Sequence, residues 1–309
     1  MNMVSHDIII VGGGPAGLTA GIYTAREMLS TLLLEKGLCG GLPASTDLIE
    51  NYPGFPEGIK GMELMSNFKK QAEKFGVKIH EFEEVKKIEL LGKTIKVQTN
   101  VREYSAYVVI VASGSIPKKL GIQGEEEFLG RGVSYCAICD GPLYKDKAVA
   151  VIGCGNSGLQ EGEALLTYVE SLTFVEFLPF MSAEKILQQR LQKSKKTRFL
   201  LNHILISIDG KDYVTSITVK DRQTGKKEIL KVSGIFIYVG FLPNSKFLYG
   251  IVELDKSGYV ITNEKMEMSV PGMYAAGDVR AKHVRQIDSA CSDGTVAAIS
   301  AREYIKLLS

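Results

Sequence analysis

The sequence lacks the features of a secreted, membrane-spanning or nucleic-acid-binding protein. Its 37 basic and 35 acidic side chains leave a net charge of +2, so neither a nucleic acid nor a membrane surface is expected as a partner. We interpret the acidic segment GEEEF, residues 124–128, as a solvated face. The longest apolar run, residues 235–242, is far too short to span a bilayer. The start, MNMVSHDIII, lacks a cationic stretch and a signal-type apolar segment, which predicts a cytoplasmic protein.

Cysteine and histidine are scarce, with five and four residues in 309. Two of the cysteines, Cys136 and Cys139, lie close together in the segment CAICDG. Zinc needs three or four ligands and no histidine is near this pair in sequence, so we predict no metal site. A structural crosslink over two intervening residues would constrain the unfolded chain little. We therefore interpret the pair as a redox couple within one helical turn that Gly141 and Pro142 end. The remaining cysteines are interpreted as packing residues: Cys39, Cys154 and Cys291.

Glycine, in contrast, is frequent and patterned. Residues 7–17, DIIIVGGGPAG, are typical of a buried strand that leads into Gly12-x-Gly14-x-x-Gly17 and then a helix. A second strand ends at Glu35. Such glycines allow a tight turn close to a pyrophosphate, the helix N-terminus faces the phosphates, and the acid accepts from ribose hydroxyls. The pattern predicts a dinucleotide-binding unit, with an ordinary glycine-rich turn as the alternative.

The same pattern recurs later in the chain. Residues 147–158, KAVAVIGCGNSG, carry a second glycine loop, and the strand after the next helix ends at Glu176. The first glycine and the acid are 23 residues apart in both units, from 12 to 35 and from 153 to 176. Two such units in one chain suggest two nucleotide cofactors that exchange electrons.

These patterns predict an α/β fold with two Rossmann-like, three-layer nucleotide-binding domains. The segment after the second unit, residues 245–309, is too short for a domain of its own. We expect it to return and complete the first domain, so that the second domain is inserted into the first. The predicted boundaries are 1–117 with 244–309 for the first domain and 118–243 for the second.

Six ordered motifs resemble the low-molecular-weight thioredoxin reductases over essentially the whole chain. They are GGGPAG (12–17), NYPGF (51–55), VASGS (111–115), GRGVSYCAICDG (130–141), GCGNSG (153–158) and AAGDVRAKHVRQI (275–287). The resemblance implies an FAD domain interrupted by a nicotinamide-type nucleotide domain that carries the cysteine pair. It also implies a homodimer and, as partner, thioredoxin or a thioredoxin-like protein.

The resemblance implies particular binding residues as well. Those for FAD are Gly12, Gly14, Pro15, Ala16, Gly17, Glu35, Lys36, Gly40, Gly41, Leu42, Asn51, Val85, Ala112, Gly114, Gly277, Asp278, Arg285, Gln286 and Ile287. Those for the second nucleotide are Gly153, Gly155, Asn156, Ser157, Gly158 and Glu176. Leu42 stands where the family usually has Gln, so the side chain expected to make one polar contact to the flavin is absent.

The resemblance also assigns roles at the redox pair. It makes Cys139 the sulfur nearer the flavin and Asp140 the group that handles the proton. A thiolate leaves more readily when it is protonated, so the chemistry has a use for such a carboxyl. The alternative for Asp140 is a helix or turn cap.

The electron donor is where this chain departs from the family pattern. The family has His-Arg-Arg after the second strand of this unit and a further Arg, which hold the 2′-phosphate of NADPH. The corresponding residues here are Glu176, Phe177, Leu178 and Ser182. An anionic phosphate beside Glu176 would meet repulsion without a compensating cation, so NADPH is predicted to be a poor donor. NADH is possible because Glu176 could accept from a free ribose diol. Alternatively, the apolar residues 177–180 form a packed surface and nicotinamide is no longer used well.

Together these observations predict an FAD-dependent thioredoxin-disulfide reductase that uses the Cys136–Cys139 couple. Two alternatives stay open at this point. One is an FAD-dependent dithiol oxidase that passes electrons to oxygen, and the other is a redox-silent flavin-binding sensor module.

Overall fold

The computed structural model describes residues 4–308. They divide into two compact units, one of residues up to Ile116 together with residues from Leu242, and one of Pro117–Phe241. The second unit is therefore inserted into the first, and the predicted α/β class with two Rossmann-like units is confirmed. Which nucleotide each unit binds stays a prediction.

Strands and helices alternate through much of the described chain. The strands are Val4–Val11 (β1), Thr31–Leu34 (β2), Lys78–His80 (β3), Val85–Leu91 (β4), Thr94–Thr99 (β5), Glu103–Val111 (β6), Ser115–Pro117 (β7), Val133–Ser134 (β8), Ala148–Ile152 (β9), Ser171–Val175 (β10), Thr197–Leu200 (β11), His203–Gly210 (β12), Val214–Asp221 (β13), Lys227–Lys231 (β14), Gly234–Ile237 (β15), Phe241–Pro243 (β16) and Met273–Ala275 (β17). The α-helices are Pro15–Arg26 (α1), Gly61–Lys74 (α2), Ala137–Asp140 (α3), Asn156–Leu165 (α4), Lys185–Lys193 (α5) and Ile287–Leu308 (α6).

In the first unit β1 lies inside a sheet of order β3-β2-β1-β6-β5-β4, and β17 pairs with β6. β1 runs parallel to both β2 and β6. Its side chains alternate between two cores: Ile8 and Ile10 pack in the core that also contains residues of α1 and α6, whereas Ile9 and Val11 pack in the core on the other face. A strand buried on both faces reads as a continuous apolar run, which is why DIIIV was readable as a strand.

The second unit repeats this plan on a smaller scale. Its parallel sheet has the order β11-β10-β9-β15-β8, and a separate antiparallel sheet has the order β12-β13-β14. In β9, Val149 and Val151 belong to one core while Ala150 and Ile152 belong to the other. The two glycine loops therefore follow equivalent central strands, β1 and β9.

The segments that join the units, β7 and β16, pair with each other as a two-stranded sheet. Among residues 4–308, no helix combines the length and apolar character that crossing a membrane requires.

Candidate nucleotide and redox sites

The first glycine loop follows β1 and depends on residues without a side chain. Gly12 has φ of 111°, and a Cβ at this position would lie 2.4 Å from the Ala112 carbonyl oxygen. A Cβ at Gly17 would lie 1.9 Å from the Gly12 carbonyl oxygen. Glycine is thus required for the close packing of loop, helix and neighbouring strand. The chain then enters α1 at Pro15, a position where the missing N–H has no intrahelical partner to lose.

Glu35 directly follows β2 and organises the rest of this loop. Its carboxylate accepts hydrogen bonds from the backbone N–H groups of Gly13 at 2.7 Å and Gly37 at 2.9 Å. The Gly40 N–H donates to the Gly13 carbonyl at 2.8 Å, which folds the segment after Glu35 back onto the glycine loop. Gly14, Gly40 and Gly41 thereby gather near the start of α1.

The other residues predicted to bind FAD lie on loops and strand ends of the same unit. Their positions are as follows: Lys36 after Glu35, Leu42 at the start of a 3₁₀ turn, Asn51 in the loop that follows, Val85 at the start of β4, Ala112 and Gly114 after β6, Gly277 and Asp278 after β17, and Arg285, Gln286 and Ile287 at the entry to α6. The Asn51 amide donates to Gln286 Oε1 at 3.3 Å, so the structure brings these two distant residues together.

Two residues predicted to bind FAD each have a buried polar atom without a hydrogen-bond partner among the described residues. These atoms are Oδ1 of Asp278 and Nε of Arg285. Burial raises the pKa of the Asp278 carboxyl, and Lys282 Nζ, 3.6 Å from Oδ1, opposes that shift. The Arg285 guanidinium lies over the Tyr259 ring at 4.2 Å. Buried polar groups are normally paired, so both atoms fit a ligand that offers hydroxyl and phosphate oxygens, as FAD does.

Asp293, on α6, was not identified from the sequence but fixes the Gly277 segment. Its carboxylate accepts from the Gly277 N–H at 3.0 Å and pairs with Arg280 at 2.8 Å and Lys282 at 3.0 Å. A single aspartate inside a helix carries no sequence signal for this role.

The second glycine loop has the same close backbone contacts and the same hydrogen bonds to an acid as the first. A Cβ at Gly153 would lie 2.2 Å from the Tyr238 carbonyl oxygen, and one at Gly158 would lie 2.1 Å from the Gly153 carbonyl oxygen. Glu176 follows β10 and accepts from the Cys154 N–H at 2.5 Å and the Leu178 N–H at 2.9 Å. Of the other residues predicted here, Gly155 caps α4, and Asn156 and Ser157 begin it. The internal duplication therefore extends to individual hydrogen bonds.

The loop after Glu176 differs from its predicted packing. Phe177 is 54% exposed and Phe180 56% exposed within the described chain, so they do not form a packed apolar surface in this unit. The Arg222 guanidinium lies 3.6 Å from the centroid of the Phe177 ring. Its Nη1 donates to the Phe177 carbonyl at 2.9 Å and to Asn202 Oδ1 at 3.2 Å. This cation comes from the residue after β13, so no pattern within the loop could have indicated it.

The cysteine pair forms a disulfide, with an S–S distance of 2.08 Å. Cys136 precedes α3, and its sulfur accepts from the Cys139 N–H at 3.2 Å. The expected single helical turn is present and ends at Asp140, with Gly141 as its C-cap residue. A 3₁₀ turn, Gly141–Tyr144, follows directly. Pro142 lies in the first turn of this 3₁₀ segment, where its missing N–H costs no hydrogen bond.

The side chains of Ser134 and Tyr238 contact this turn. The Ser134 hydroxyl lies 2.6 Å from Asp140 Oδ2 and 3.2 Å from the Cys136 carbonyl oxygen, and it accepts from the Cys136 N–H at 3.0 Å. The Tyr238 hydroxyl accepts from the Ala137 N–H at 3.0 Å. The structure records no capping bond from the Asp140 side chain to the 3₁₀ turn it precedes. Ser134 and Tyr238 were missed because their roles depend on β8 and β15 meeting the turn.

The remaining cysteines are in environments that suppress reactivity. Burial raises the pKa of Cys39 and of Cys154 to about 12, and it also raises the pKa of Cys291. All three therefore stay protonated at neutral pH, in keeping with packing residues. Among residues 4–308 no group of three or more His, Cys, Asp or Glu side chains could hold a metal ion.

Known proteins resemble this chain over nearly its whole length. The family described as pyridine nucleotide-disulphide oxidoreductase matches residues 6–294, and the chain belongs to that family. The thioredoxin reductase of Bacillus subtilis is 42% identical, over 98% of this chain and 96% of that protein.

Two solved structures are similar over nearly their full length. The thioredoxin reductase of Lactococcus lactis in its FR conformation has a TM-score of 0.96 at 39% identity, over 98% of this chain and 99% of that one. The thioredoxin reductase of T. acidophilum has a TM-score of 0.94 at 39% identity, over 99% of both chains. The resemblance inferred from the motifs is confirmed, as is the class of enzyme, an oxidoreductase that acts on a sulfur group.

Proposed function

We propose that this chain is a flavoprotein thioredoxin-disulfide reductase whose Cys136–Cys139 disulfide relays electrons to thioredoxin or a similar small redox protein. The observation that carries the proposal is the disulfide itself, placed beside Asp140 in a nucleotide-binding unit. The relatives named thioredoxin reductase support the same partner. Bound FAD, held by the first unit around Glu35 and Asp278, would supply the electron pair.

The transfer then needs no reactant beyond the electron pair, two protons and the partner's disulfide. Two electrons break the Cys136–Cys139 bond and two protons complete the pair of thiols. The Cys136 thiolate attacks one sulfur of the partner's disulfide, and the partner's other sulfur leaves as a thiolate that takes up a proton. The Cys139 thiolate then displaces the partner's remaining sulfur, so that the internal disulfide re-forms and the partner leaves with two thiols. The assignment of Cys139 as the sulfur nearer the flavin stays a prediction.

Asp140 is suited to hold the proton that these steps move. Its Oδ2 lies 2.6 Å from the Ser134 hydroxyl, and that hydroxyl has a second acceptor, the Cys136 carbonyl at 3.2 Å. When Asp140 is ionised, Ser134 donates to it. When Asp140 is protonated, its own O–H donates to Ser134, whose proton turns to the carbonyl. Ser134 thus stays hydrogen-bonded in both states and positions Asp140 throughout the cycle.

The proposal includes NADPH as a poor donor, with NADH possible. The residues after Glu176 offer no cation at positions 177, 178 and 182 for a 2′-phosphate. Arg222 lies over this loop, but its Nη1 is held by the Phe177 carbonyl and Asn202. Glu176 itself is buried and holds two backbone N–H groups, the arrangement that Glu35 has in the first unit. These contacts favour a ribose with free hydroxyls over a phosphorylated one.

An anaerobic thiol titration tests the proposed reaction. The flavin-loaded enzyme is reduced with dithionite, freed of excess reductant and mixed with thioredoxins, after which the free thiols of each partner are counted. We expect two thiols for each reduced enzyme to appear on at least one thioredoxin. Absence of transfer to every thioredoxin-like protein tested would overturn the proposal. Oxygen uptake with a dithiol alone, at turnover rates, would instead indicate the dithiol oxidase.

A further inference from the structure

We infer that Glu125 is a positioning residue that fixes the main chain at Cys136 through the Tyr135 hydroxyl and thereby favours the Cys136–Cys139 disulfide over the dithiol. The inference deepens the proposed function and rests on it, because it takes this pair to be the couple that carries the electrons. Glu125 acts through Tyr135 and is not itself a catalytic residue.

Glu125 lies in a loop that the antiparallel sheet of the second unit holds in place. The Ile208 N–H, in β12, donates to the Gln123 carbonyl at 3.1 Å. Gly124 has φ of 86°, and a Cβ there would lie 2.1 Å from the Ile208 carbonyl oxygen, so this close approach requires glycine. The buried carboxylate that follows is therefore placed by main-chain contacts with a strand.

The Glu125 carboxylate joins the start of the second unit to the residue before Cys136. It accepts from the N–H groups of Leu120 at 2.8 Å and Gly121 at 2.6 Å, and its Oε1 accepts from the Tyr135 hydroxyl at 2.7 Å. Burial raises the pKa of Glu125, but the Tyr135 hydroxyl and the loop N–H groups outweigh burial and hold that pKa below its ordinary value. The carboxylate is therefore charged at neutral pH, and hydrogen bonds to a charged acceptor are roughly twice as strong as neutral ones.

Tyr135 lies between the last residue of β8 and the redox pair. Its ring packs against the core that contains Phe128 and Ile208. The preceding residue, Ser134, contacts Asp140 of the redox turn, as expected when successive side chains at the end of a strand point to opposite sides. The Tyr135 hydroxyl therefore ties the chain down on the side opposite to Ser134.

Both neighbours of Cys136 are anchored by a tyrosine hydroxyl. On one side the Tyr135 hydroxyl donates to Glu125. On the other side the Ala137 N–H donates to the Tyr238 hydroxyl at 3.0 Å. The main chain of Cys136 is thus held at two points that flank the reacting sulfur.

A fixed main chain favours the disulfide because the two redox states differ in the freedom that they need. The disulfide requires one relative placement of the two sulfurs, whereas two free thiols tolerate many. Anchoring Cys136 removes freedom mainly from the dithiol and so raises the effective concentration of one thiol at the other. In the proposed transfer this favours the last step, in which the internal disulfide re-forms and the partner is released.

The size of the effect follows from the hydroxyl alone. Tyr135→Phe keeps the ring and its packing but removes the bond to Glu125. It should lower the equilibrium constant for forming the internal disulfide about tenfold, the scale of one hydrogen bond to a charged group. That change corresponds to a midpoint potential about 30 mV less negative.

The test is an anaerobic redox titration of the flavin-loaded protein in buffers with set ratios of reduced to oxidised dithiothreitol. Samples are quenched with acid and alkylated under denaturing conditions, and the peptide that carries Cys136 and Cys139 is quantified by mass spectrometry. Counting thiols on this peptide keeps the flavin and the other cysteines out of the measurement.

The variants are Tyr135→Phe, Glu125→Gln and the two substitutions combined. The matched controls are Tyr213→Phe and Glu127→Gln, which make the same changes at exposed residues of the same unit. Tyr135→Phe decides the question alone if Glu125→Gln folds poorly, because Glu125 also holds the loop.

We expect Tyr135→Phe and Glu125→Gln each to shift the titration about tenfold toward the dithiol, with wild-type behaviour in both controls. The combined variant should shift no further than the larger single change, because both substitutions remove one contact. A Tyr135→Phe equilibrium constant within about twofold of wild type, or shifted toward the disulfide, would overturn the inference.

Two further outcomes would contradict the inference as well. An equal shift in Tyr213→Phe would show that the effect is not specific to Tyr135. Additive shifts in the combined variant would show that Glu125 does not act through the Tyr135 hydroxyl. Thiol transfer to thioredoxin decides the proposed function separately, since dithiothreitol replaces both the donor and the partner in this titration.

Discussion

In the first unit Glu35 accepts hydrogen bonds from Gly13 and Gly37, and in the second Glu176 accepts the corresponding bonds from Cys154 and Leu178. The backbone arrangement is the same although both glycine donors of the first unit are replaced in the second. The three glycines of the G-x-G-x-x-G loop and one acid therefore suffice to build this turn, because the acid accepts from backbone N–H groups that any residue can supply. The ligand is decided by the side chains placed around the turn.

Those surrounding side chains differ in charge. Lys36 follows the acid in the first unit, whereas the exposed Phe177 follows it in the second. Gly41 lies beside the start of α1, whereas Glu184 is held at the start of α4. The second unit thus keeps the backbone geometry of the first and differs from it in the charges placed around the turn.

The largest effect should come from the feature that only the second unit has, its redox pair. Cys136→Ser or Cys139→Ser should lower the rate of thioredoxin reduction by about a thousandfold or more, because no disulfide can form to carry the electron pair. Cys291→Ser is a matched control on α6, where burial raises the thiol pKa, and it should reduce thioredoxin at the wild-type rate. Retained activity in both active-pair variants would show that electrons reach thioredoxin by another route.

The next effect concerns the charges that distinguish the second loop from the NADPH-binding pattern. Glu176→His, Phe177→Arg, Leu178→Arg and Ser182→Arg together should raise kcat/KM for NADPH by about a hundredfold, since guanidinium groups bind phosphate through charge-assisted hydrogen bonds. The gain should be much smaller in Glu176→Gln alone, which relieves the repulsion without adding a cation. Steady-state kinetics with NADPH and NADH measure both, and an equal gain for NADH would contradict a role at the 2′-phosphate.

A smaller effect is expected at Asp278, in the first unit. Because burial raises the pKa of this carboxyl above its ordinary 3.8, the folded apoprotein holds the proton more tightly than the unfolded chain. At pH values above the pKa of Asp278 in the unfolded chain, ionisation of this carboxyl therefore lowers the free energy of unfolding. This loss disappears as the pH falls below that pKa. Asp278→Asn should stabilise the apoprotein at neutral pH by about 1 kcal/mol and weaken FAD binding about tenfold.

Thermal unfolding of the flavin-free protein across pH, together with flavin titration, checks this expectation. The stability advantage of Asp278→Asn should vanish as the pH approaches the ordinary carboxyl value. A variant that is less stable at every pH would indicate that Asp278 is already satisfied within the protein and does not await a ligand.

The smallest effect should arise at Ser134. Ser134→Ala removes the hydroxyl that contacts Asp140 at 2.6 Å, and we expect a loss of about threefold to tenfold in thioredoxin reduction, as for one hydrogen bond. Ser134→Thr keeps the hydroxyl and should recover most of the rate. A loss that Ser134→Thr does not reduce would indicate a packing role for Ser134.

Much of the fold was predictable because it depends on local patterns. Apolar strands followed by glycine loops and an acid indicated both nucleotide units, and the short tail indicated the insertion. What escaped prediction depends on residues far apart in sequence or on how a turn packs. Arg222 reaches Phe177 from another sheet, and Ser134 reaches Asp140 across the cysteine turn.

Charge patterns in the sequence were the least reliable indicator of which side chains are exposed. The segment GEEEF was expected to be solvated, yet Glu125 is only 1% exposed. Its carboxylate accepts from the N–H groups of Leu120 and Gly121 and from the Tyr135 hydroxyl. Sequence alone cannot separate such a satisfied acid from its exposed neighbours, because burial is decided by the loop that folds around it.

We propose that the second unit keeps a nucleotide fold whose side chains no longer favour NADPH. Stopped-flow mixing of the anaerobic, flavin-loaded wild type with NADPH and with NADH tests it most directly. We expect that NADPH, even at concentrations far above those used by efficient reductases, bleaches the flavin slowly and does not saturate. Rapid bleaching by NADPH that saturates at roughly micromolar concentration, as for an efficient enzyme, would contradict the claim.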